Sequence, residues 1–375
     1  MKIAIVANSG WYVYNFRRNL MRTLRAAGHE IFVLAGEDAY VDRLRAEGWD
    51  VMAMPFTGAG TNPLEEVKTV AALRSAAKRV RFDAMLSYTP KGNIYTAIAT
   101  FGLPARLVPN VSGLGRAFVD NGALARLARL LYRFGMRRAN CVFFQNSDDQ
   151  SHFETVGIVR PAQSRLLPGS GVDLDHFKQI ALPSTAGSAP RFLMVARLLR
   201  EKGVREFVDA SLLVRAVYPD CKFALLGPPD ATSGRGVPRE HIDEWVERGL
   251  IDYLGVTDDV RQHVAASDCI VLPSYYREGV PRSLLEGAAM GRPLVTTDAP
   301  GCRDCVDVNV NGYLVPVRDT HALGQALIRI AGMSDAQRQA MGAASRSKVE
   351  REFSEQRVMS AYMDVIGQMA QDKAC

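Results

Sequence analysis

The sequence has few cysteines and no long apolar run. None of its apolar stretches approaches the roughly 18–20 residues that a membrane-spanning helix needs, so no such helix is expected. Its six cysteines are scattered, several of them in strand-like runs, which is typical of reduced, buried thiols in a cytoplasmic protein. Residues 1–8 are apolar and lead at once into a glycine and aromatic side chains, which predicts a buried first strand rather than a signal peptide.

The signatures of several ligands and partners are also missing. The loop after the first predicted strand holds the single glycine Gly10 and lacks the fingerprint Gly-x-Gly-x-x-Gly, which argues against a nicotinamide enzyme. We find no Asp-x-Asp cluster at a predicted strand end, and the pair Cys302 and Cys305 has no second cysteine pair or histidine cluster nearby. We therefore expect no metal and no cofactor. No nucleic-acid-binding module is recognisable, so no nucleic-acid partner is expected either.

Positive charge is concentrated in the first half of the chain. Residues 1–175 contain 22 Lys and Arg against 15 Asp and Glu, whereas residues 176–375 contain 24 against 25. Solubility alone could explain this surplus, but an anionic membrane surface or a lipid diphosphate would also suit it. The stretch 123–138 alternates leucine with arginine at helical spacing, and a predicted helix over 15–27 adds four arginines. The stretch 123–138 is therefore either a basic amphipathic helix that lies on a membrane or a helix with one buried face and one solvated basic face.

Strand-like and helical segments alternate along the whole chain, which predicts α/β architecture with parallel sheets and helices on both faces. The pattern pauses at residues 182–190, a small-residue and proline-rich stretch that is typical of an interdomain linker, and then restarts. We therefore predict two doubly wound domains, over 1–181 and 191–353, followed by a last helix over 354–375. In such sheets, ligands bind beyond the carboxyl ends of the strands.

The most informative segment holds Glu278 and Glu286, which lie eight positions apart. A Gly-Val-Pro turn follows Glu278, and Glu286 belongs to a helical run that ends before Gly291. Pro281 suits the first turn of that helix because its missing N–H costs little there. The unpaired N–H groups of a helix start attract electron-rich oxygens, and both carboxylates can accept hydrogen bonds from hydroxyls. The pattern favours a polyhydroxylated, phosphate-bearing ligand over a metal.

This segment resembles the Glu-x7-Glu motif of the retaining glycosyltransferases of family 4. The resemblance extends to the strand-like run 269–274, to Gly-Arg-Pro at 291–293 and to Asn-Gly-Tyr at 311–313. Residues 196–203, Ala-Arg-Leu-Leu-Arg-Glu-Lys-Gly, are similar to a second motif of that family. The resemblance covers nearly the whole chain. It implies a GT-B fold, in which two Rossmann-like domains face each other across a cleft and the C-terminal helix crosses back to the first domain.

The resemblance also implies roles for residues of the second domain. Arg197 and Lys202 would hold the nucleotide diphosphate and stabilise it as a leaving group, as cations at the mouth of a parallel sheet can do. Glu278 would contact hydroxyls of the donor sugar, and Glu286 those of the ribose. We count Arg197, Lys202 and Glu278 as catalytic candidates. The further donor contacts that we predict are Gly10, Gly279, Val280, Pro281, Arg282, Ser283 and Leu285.

Acceptor contacts are predicted in the first domain, in segments that follow its strands. Tyr12 belongs to an aromatic segment after the first strand, where core packing is an equal alternative. Lys91 and Asn93 follow a later strand and Ser112 follows the next one; each could instead serve the structure of its loop. Several members of the family carry a histidine in this region, but residues 87–93 contain none, which argues against a histidine-assisted reaction.

The resemblance implies a metal-independent, retaining transfer of a hexose or N-acetylhexosamine from a UDP-sugar to a glycan acceptor. We expect that acceptor to be linked to undecaprenyl diphosphate, in bacterial surface polysaccharide or glycan assembly. The protein would be cytoplasmic and peripherally associated with the inner face of the membrane. A GT-B sugar-nucleotide 2-epimerase and a non-catalytic sugar-nucleotide sensor are the alternatives. The His/Asp/Glu set that such an epimerase uses is missing from this sequence. The intact glutamate, arginine and lysine motifs argue against a non-catalytic sensor.

Overall fold

A computed structural model describes residues 1–56, 63–113, 123–183, 189–230 and 234–374. The chain forms two compact units. The first consists of Met1–Ser170 together with Gln356–Cys375, and the second of Gly171–Glu355. Each unit is an α/β domain built on one parallel sheet.

The sheet of the first domain has seven parallel strands among the described residues. They are β1 (Lys2–Ala7), β2 (Glu30–Gly36), β3 (Asp50–Met54), β4 (Ala84–Tyr88), β5 (Arg106–Val111), β6 (Val142–Phe144) and β7 (Ser164–Leu166). Their order in the sheet is β3-β2-β1-β4-β5-β6-β7. The central strands are almost wholly apolar because helices cover both faces of a parallel sheet. The order reverses between β1 and β4, which are paired.

The sheet of the second domain repeats this plan with six strands in its described part. They are β8 (Arg191–Val195), β9 (Lys222–Leu226), β10 (Asp252–Tyr253), β11 (Cys269–Leu272), β12 (Leu294–Thr297) and β13 (Gly312–Val315). Their order is β10-β9-β8-β11-β12-β13, so the reversal lies between β8 and β11. The segment after β8 contains the motif at 196–203, and the segment after β11 contains Glu278. Both motifs of the sequence therefore lie at this reversal.

The helices surround the two sheets. They are α1 (Gly10–Phe16), α2 (Arg18–Ala26), α3 (Ala39–Ala46), α4 (Pro63–Val80), α5 (Pro90–Ala99), α6 (Ala123–Met136), α7 (Ser147–Thr155), α8 (Val204–Arg215), α9 (Arg239–Glu247), α10 (Arg261–Ala265), α11 (Arg282–Ala289), α12 (Thr320–Ala331), α13 (Asp335–Glu352) and α14 (Glu355–Ala374). Several begin at a short polar side chain that accepts a hydrogen bond from an N–H of the first turn, and Ser9 does so for α1 and Asp38 for α3.

The last helix belongs to the core of the first domain. Val358, Tyr362 and Ile366 of α14 pack in one cluster with side chains of β1 and β2. The Tyr362 ring centre lies 4.6 Å from that of Phe143, and Asn110 Nδ2 donates to the Tyr362 hydroxyl at 2.9 Å. A chain segment distant in sequence thus completes the first hydrophobic core.

The predicted fold class, two doubly wound α/β domains, is confirmed. Two details differ from the sequence expectation. The helix predicted over 15–27 is two helices with Arg17 between them, and the first starts at Gly10 because Ser9 caps it. Residues 171–181, which we assigned to the first domain, group with the second, and Phe177 lies in the second core. Residues 184–188 of the predicted linker lie outside the described residues.

We predict that Gly301→Ala destabilises the second domain strongly. Gly301 has a φ of +78°, and a Cβ there would overlap the carbonyl oxygen of Gly279. Gly249→Ala is the matched control, because Gly249 has a similar φ of +65° but open space around the added Cβ. Denaturant unfolding should show a loss of about 1–2 kcal/mol for the control and of more than about 3 kcal/mol for Gly301→Ala. Equal losses would contradict the close approach.

Candidate active site

The predicted diphosphate residues lie where the strand order of the second sheet reverses. Arg197 and Lys202 follow β8, and Glu278 follows the neighbouring strand β11. Ligands of open α/β sheets bind in the crevice beyond the carboxyl ends of the strands at such a reversal. The fold therefore brings these three side chains to the ligand-binding end of the sheet.

Lys202 and Glu278 form an ion pair between Nζ and Oε1. Only 15% of the Lys202 side chain and 12% of the Glu278 side chain are exposed. The hydroxyl of Ser274 donates to the same carboxylate oxygen at 2.9 Å. Since charges shielded from water interact strongly, neither side chain can leave the pair without a replacement partner of the right charge or polarity.

Glu201 ties together the two loops that carry this pair. Its carbonyl oxygen accepts from the N–H groups of Tyr275 and Tyr276, at 2.9 and 3.2 Å. Its carboxylate forms a 3.1 Å ion pair with Arg235. Lys202 Nζ and Arg235 Cζ lie 5.6 and 6.0 Å from the ring centre of Tyr276. Arg235 is thus a further cation near Lys202, and it was missed because no motif marks its loop.

Arg197 is the most open of the predicted cations. Its side chain is 59% exposed, and its ion pair with Asp230 is long, at 4.0 Å. An exposed ion pair of this kind contributes little, so the guanidinium can turn to a ligand at low cost.

Helix α11 starts directly after the turn that follows Glu278. Pro281, which we predicted within the first turn, is the residue before the helix, and its carbonyl oxygen accepts from the N–H groups of Leu284 and Leu285 at 3.2 Å each. Gly279 and Val280 are buried just before it, and Ser283 lies in its first turn. The Leu285 side chain is fully buried in the second core, which gives it a packing role; the predicted donor contact of this residue stays a prediction.

Glu286 is held in place by Arg282, one helical turn earlier. Arg282 Nε donates to Glu286 Oε1 at 3.1 Å, and Arg282 Nη1 donates to the carbonyl oxygen of Gly171, also at 3.1 Å. Burial raises the pKa of the Glu286 carboxyl, and the charge and hydrogen bond of Arg282 oppose that rise. Arg282 therefore orients Glu286 and favours its ionised form.

Gly10 packs against an acid at the start of α1. A Cβ on Gly10 would lie 2.5 Å from Asp38 Oδ1, and Asp38 Oδ2 accepts from the N–H of Trp11 at 2.9 Å. The Ser9 hydroxyl accepts from the N–H of Tyr12 at 3.2 Å. The Asp38 carboxylate and the Ser9 hydroxyl thus occupy the start of α1, and Gly10 has a packing role there. The predicted contact of Gly10 with the donor stays a prediction.

Tyr12 lies beyond the carboxyl end of β1, next to an arginine that sequence reasoning missed. Arg17 is 1% exposed, and its Nη2 donates to the Tyr12 hydroxyl at 2.7 Å. Its Cζ lies 4.2 Å from the ring centre of Tyr88. Arg17 is one of the four arginines of the helix predicted over 15–27, and its burial was not predicted.

The other three predicted acceptor residues differ in accessibility. Asn93 is buried; it accepts from the Ser87 hydroxyl and donates to the carbonyl oxygen of Asn110, both at 2.8 Å. These bonds give Asn93 a structural role, and its predicted acceptor contact stays a prediction. Lys91 is partly exposed and pairs with Glu66 at 2.6 Å. Ser112 is partly exposed directly after β5.

The described cysteines are free thiols buried in the two cores. Burial raises the pKa of the Cys302 thiol to about 12 and that of Cys305 well above its usual range. These thiols are therefore neutral and inert at physiological pH. Across the part of the chain that the structure describes, no group of three or more His, Cys, Asp and Glu side chains could hold a metal ion.

Two family models match the chain, one on each domain. The model of the glycosyltransferase 4-like domain matches residues 15–169. The model of glycosyl transferases group 1 matches residues 189–332 and thus includes Arg197, Lys202, Glu278 and Glu286.

Similar curated proteins and solved structures agree with these matches. N,N'-diacetylbacillosaminyl-diphospho-undecaprenol alpha-1,3-N-acetylgalactosaminyltransferase of Campylobacter jejuni is 27% identical over 343 residues, covering 87% of this chain and 88% of that protein. UDP-Gal:alpha-D-GlcNAc-diphosphoundecaprenol alpha-1,3-galactosyltransferase of Escherichia coli is 25% identical, with 71% of each covered. Anabaena HepE, solved in complex with UDP, has a TM-score of 0.78 at 20% identity, covering 98% of this chain and 100% of that one. The chain belongs to the glycosyltransferases with a 4-like first domain and a group 1 second domain.

Proposed function

We propose that this glycosyltransferase moves a hexose or N-acetylhexosamine from a UDP-sugar to a glycan linked to undecaprenyl diphosphate, with retention of the anomeric configuration. The observation that carries the proposal is the shielded Lys202–Glu278 pair at the strand reversal, with Arg197 in the same loop as Lys202 and the Arg282–Glu286 pair on α11. Cations for a diphosphate and carboxylates for sugar hydroxyls thus lie in one domain. Two relatives named above carry an undecaprenyl-diphosphate acceptor in their names, which supports this acceptor class.

Binding of the donor would exchange the partners within the Lys202–Glu278 pair. A diphosphate oxygen would replace the carboxylate beside Lys202, and a sugar hydroxyl would donate to Glu278. Ser274 would keep the Glu278 carboxylate oriented throughout, because its hydroxyl bonds the same oxygen. The exchange keeps every charge partnered, so the buried site does not have to expose an isolated ion.

The bond between the anomeric carbon and the diphosphate breaks as the acceptor hydroxyl attacks the same face of the sugar. The departing diphosphate oxygen takes the acceptor proton, and the products are UDP and the extended glycan. Arg197 and Lys202 stabilise the negative charge that develops on the leaving group. No separate protein base and no metal ion are part of this proposal.

Helix α6 suits contact with an anionic membrane. Leu127, Leu130 and Phe134 are exposed on it, and Phe134 stacks on the exposed ring of Phe101 at 5.6 Å. The segment 123–138 has five arginines and no acid. Exposed apolar side chains among cations fit the interface of an anionic bilayer. No helix within the described ranges is both long and apolar enough to cross a bilayer, and peripheral binding at the inner face is our proposal.

The proposed reaction predicts acceptor-dependent release of UDP. The purified protein would be incubated with radiolabelled UDP-glucose, UDP-galactose or their N-acetyl forms, with and without an undecaprenyl-diphosphate-linked glycan. We expect one donor to label the lipid fraction and to release UDP only when the acceptor is present. Turnover of the sugar nucleotide without acceptor would instead support an isomerase or hydrolase and would contradict the proposal.

Removal of the diphosphate cation or of the ribose acid should slow the reaction. We expect Lys202→Ala and Glu286→Ala each to lower turnover at least tenfold, about 1.4 kcal/mol of barrier. Arg205→Ala is the matched control, because Arg205 is largely exposed on α8 and, within the described ranges, pairs only with Asp209. Steady-state kinetics with verified folding by circular dichroism would measure all three. Near-normal turnover in folded Lys202→Ala or Glu286→Ala protein would overturn the site assignment.

Loss of the apolar side chains on α6 should weaken membrane binding. We expect Leu130→Ser with Phe134→Ser to reduce co-sedimentation with vesicles that contain phosphatidylglycerol by about tenfold or more. The control replaces Leu212 and Val246, comparably exposed on helices of the second domain, by serine. If the α6 variant sediments like the unmodified protein, α6 does not bind the membrane.

A further inference from the structure

One fully buried charge in the first domain has no acid beside it. Arg17 is 1% exposed, and none of the residues that the structure describes places a carboxylate within ion-pair distance of its guanidinium. Its electrostatic neighbours are the tyrosines Tyr12, Tyr88 and Tyr362. A charge taken out of water is costly unless another group compensates it. This arginine therefore calls for an explanation in terms of a ligand.

The next arginine shows the ordinary arrangement. Arg18 Cζ lies 3.9 Å from the ring centre of Tyr14, and its Nη1 lies 2.7 Å from Glu47 Oε1. Arg17 has a similar aromatic contact, at 4.2 Å from Tyr88, but lacks the carboxylate. Its Nε–H also has no acceptor among the described residues. The Arg17 charge is therefore compensated by ring faces and one hydroxyl, and not by a carboxylate of the described residues.

Tyr12 connects this charge to the surface. Arg17 Nη2 donates to the Tyr12 oxygen at 2.7 Å, which leaves the hydroxyl hydrogen of Tyr12 without an acceptor in the described part of the chain. The Tyr12 side chain is partly exposed. A hydroxyl that accepts a hydrogen bond from a cation is polarised and becomes a stronger donor. The pair therefore presents a donor backed by a positive charge.

The position of the pair in the fold is that of a ligand site. Tyr12 follows β1 and Tyr88 ends β4, the two neighbouring strands at which the order of the first sheet reverses. An acid lies near this site at the start of α1: Asp38 accepts from the N–H groups of Trp11 and Tyr40 at 2.9 Å each. The Asp38 carboxylate is thus bonded to N–H groups at the starts of α1 and α3. An anion beside Tyr12 would therefore still be attracted by the Arg17 charge.

We propose that Tyr12 binds a phosphate oxygen of the acceptor's diphosphate and that Arg17 positions and polarises Tyr12 for this contact. The inference rests on the proposed function, since the diphosphate belongs to the proposed acceptor. A hydrogen bond to a charged oxygen is roughly twice as strong as one to a neutral sugar hydroxyl. The arrangement thus favours an acceptor that carries a phosphate over a free glycan.

Steady-state kinetics with two acceptors test the contact. One acceptor carries the glycan on a prenyl diphosphate, and the other carries the same glycan as a phosphate-free alkyl glycoside, both in detergent without phospholipid. We expect Tyr12→Phe to raise the acceptor KM about tenfold for the diphosphate. The KM of the glycoside and the KM of the UDP-sugar should stay unchanged. Arg17→Met should act alike, and the double variant should add nothing further.

Tyr14→Phe is the matched control, because Tyr14 lies on the same helix under Arg18 but no guanidinium of the described residues donates to its hydroxyl. Tyr14→Phe should leave the KM values of both acceptors and of the UDP-sugar unchanged. An unchanged KM for the diphosphate acceptor in folded Tyr12→Phe protein would overturn the proposal. An equal rise for both acceptors would also overturn it, since the contact would then be to the sugar.

A binding measurement separates this inference from the proposed function. Isothermal titration with geranyl diphosphate, geraniol and inorganic pyrophosphate needs no transfer reaction. We expect geranyl diphosphate to bind about tenfold more weakly to Tyr12→Phe than to the unmodified protein, and geraniol to show no such difference. Pyrophosphate binding that depends equally on Tyr12 would mean a site for any free phosphate and would overturn the assignment to the lipid acceptor. Absence of transfer with intact Tyr12-dependent binding would contradict only the proposed function.

Discussion

The ion pair between Lys202 and Glu278 is the interaction on which the second domain's site depends. Each side chain comes from a loop that follows a different strand, and the two strands are neighbours only because the sheet reverses its order there. The shielding of the pair makes an isolated charge expensive, so any ligand that enters must supply both an anion and a hydroxyl. A sugar diphosphate supplies both, which links the parallel-sheet topology directly to the class of donor.

The first domain also has a shielded charge at the reversal of its sheet, but with different neighbouring side chains. Its sheet also reverses between two neighbouring strands, but the side chains at that place are tyrosines around the buried guanidinium of Arg17. No carboxylate among the described residues lies within ion-pair distance of Arg17, in contrast to the paired charges of the second domain. The two domains thus repeat one backbone plan and differ in which charges they leave open to a ligand.

The sequence was sufficient for the architecture and for the local signals of the site. Pro281 and Gly291 marked the two ends of α11 because a missing N–H and a left-handed φ are local backbone properties. The spacing of Glu278 and Glu286 likewise follows from one turn and one helix. The burial of the Leu285 side chain was not predicted, because the rotation of a helix about its axis could not be read from so short a motif.

Long-range packing determined what the sequence could not predict. Arg17 looks like a surface charge on a basic helix, and only the packing of Tyr88 and Tyr362, from distant parts of the chain, shows that it is buried. Asn93 looks like a polar loop residue, yet it holds the ends of β4 and β5 together through Ser87 and Asn110. Burial of this kind depends on partners far away in sequence, and no local pattern encodes it.

A crystal structure of the protein with UDP bound would test the central claim most directly. Our account predicts that a diphosphate oxygen lies within hydrogen-bond distance of Lys202 Nζ and that Lys202 has released Glu278. It also predicts that Glu278 keeps its bond to Ser274 and that Glu286 accepts from the ribose. Diphosphate density away from β8 and β11, with the Lys202–Glu278 pair intact, would contradict the account.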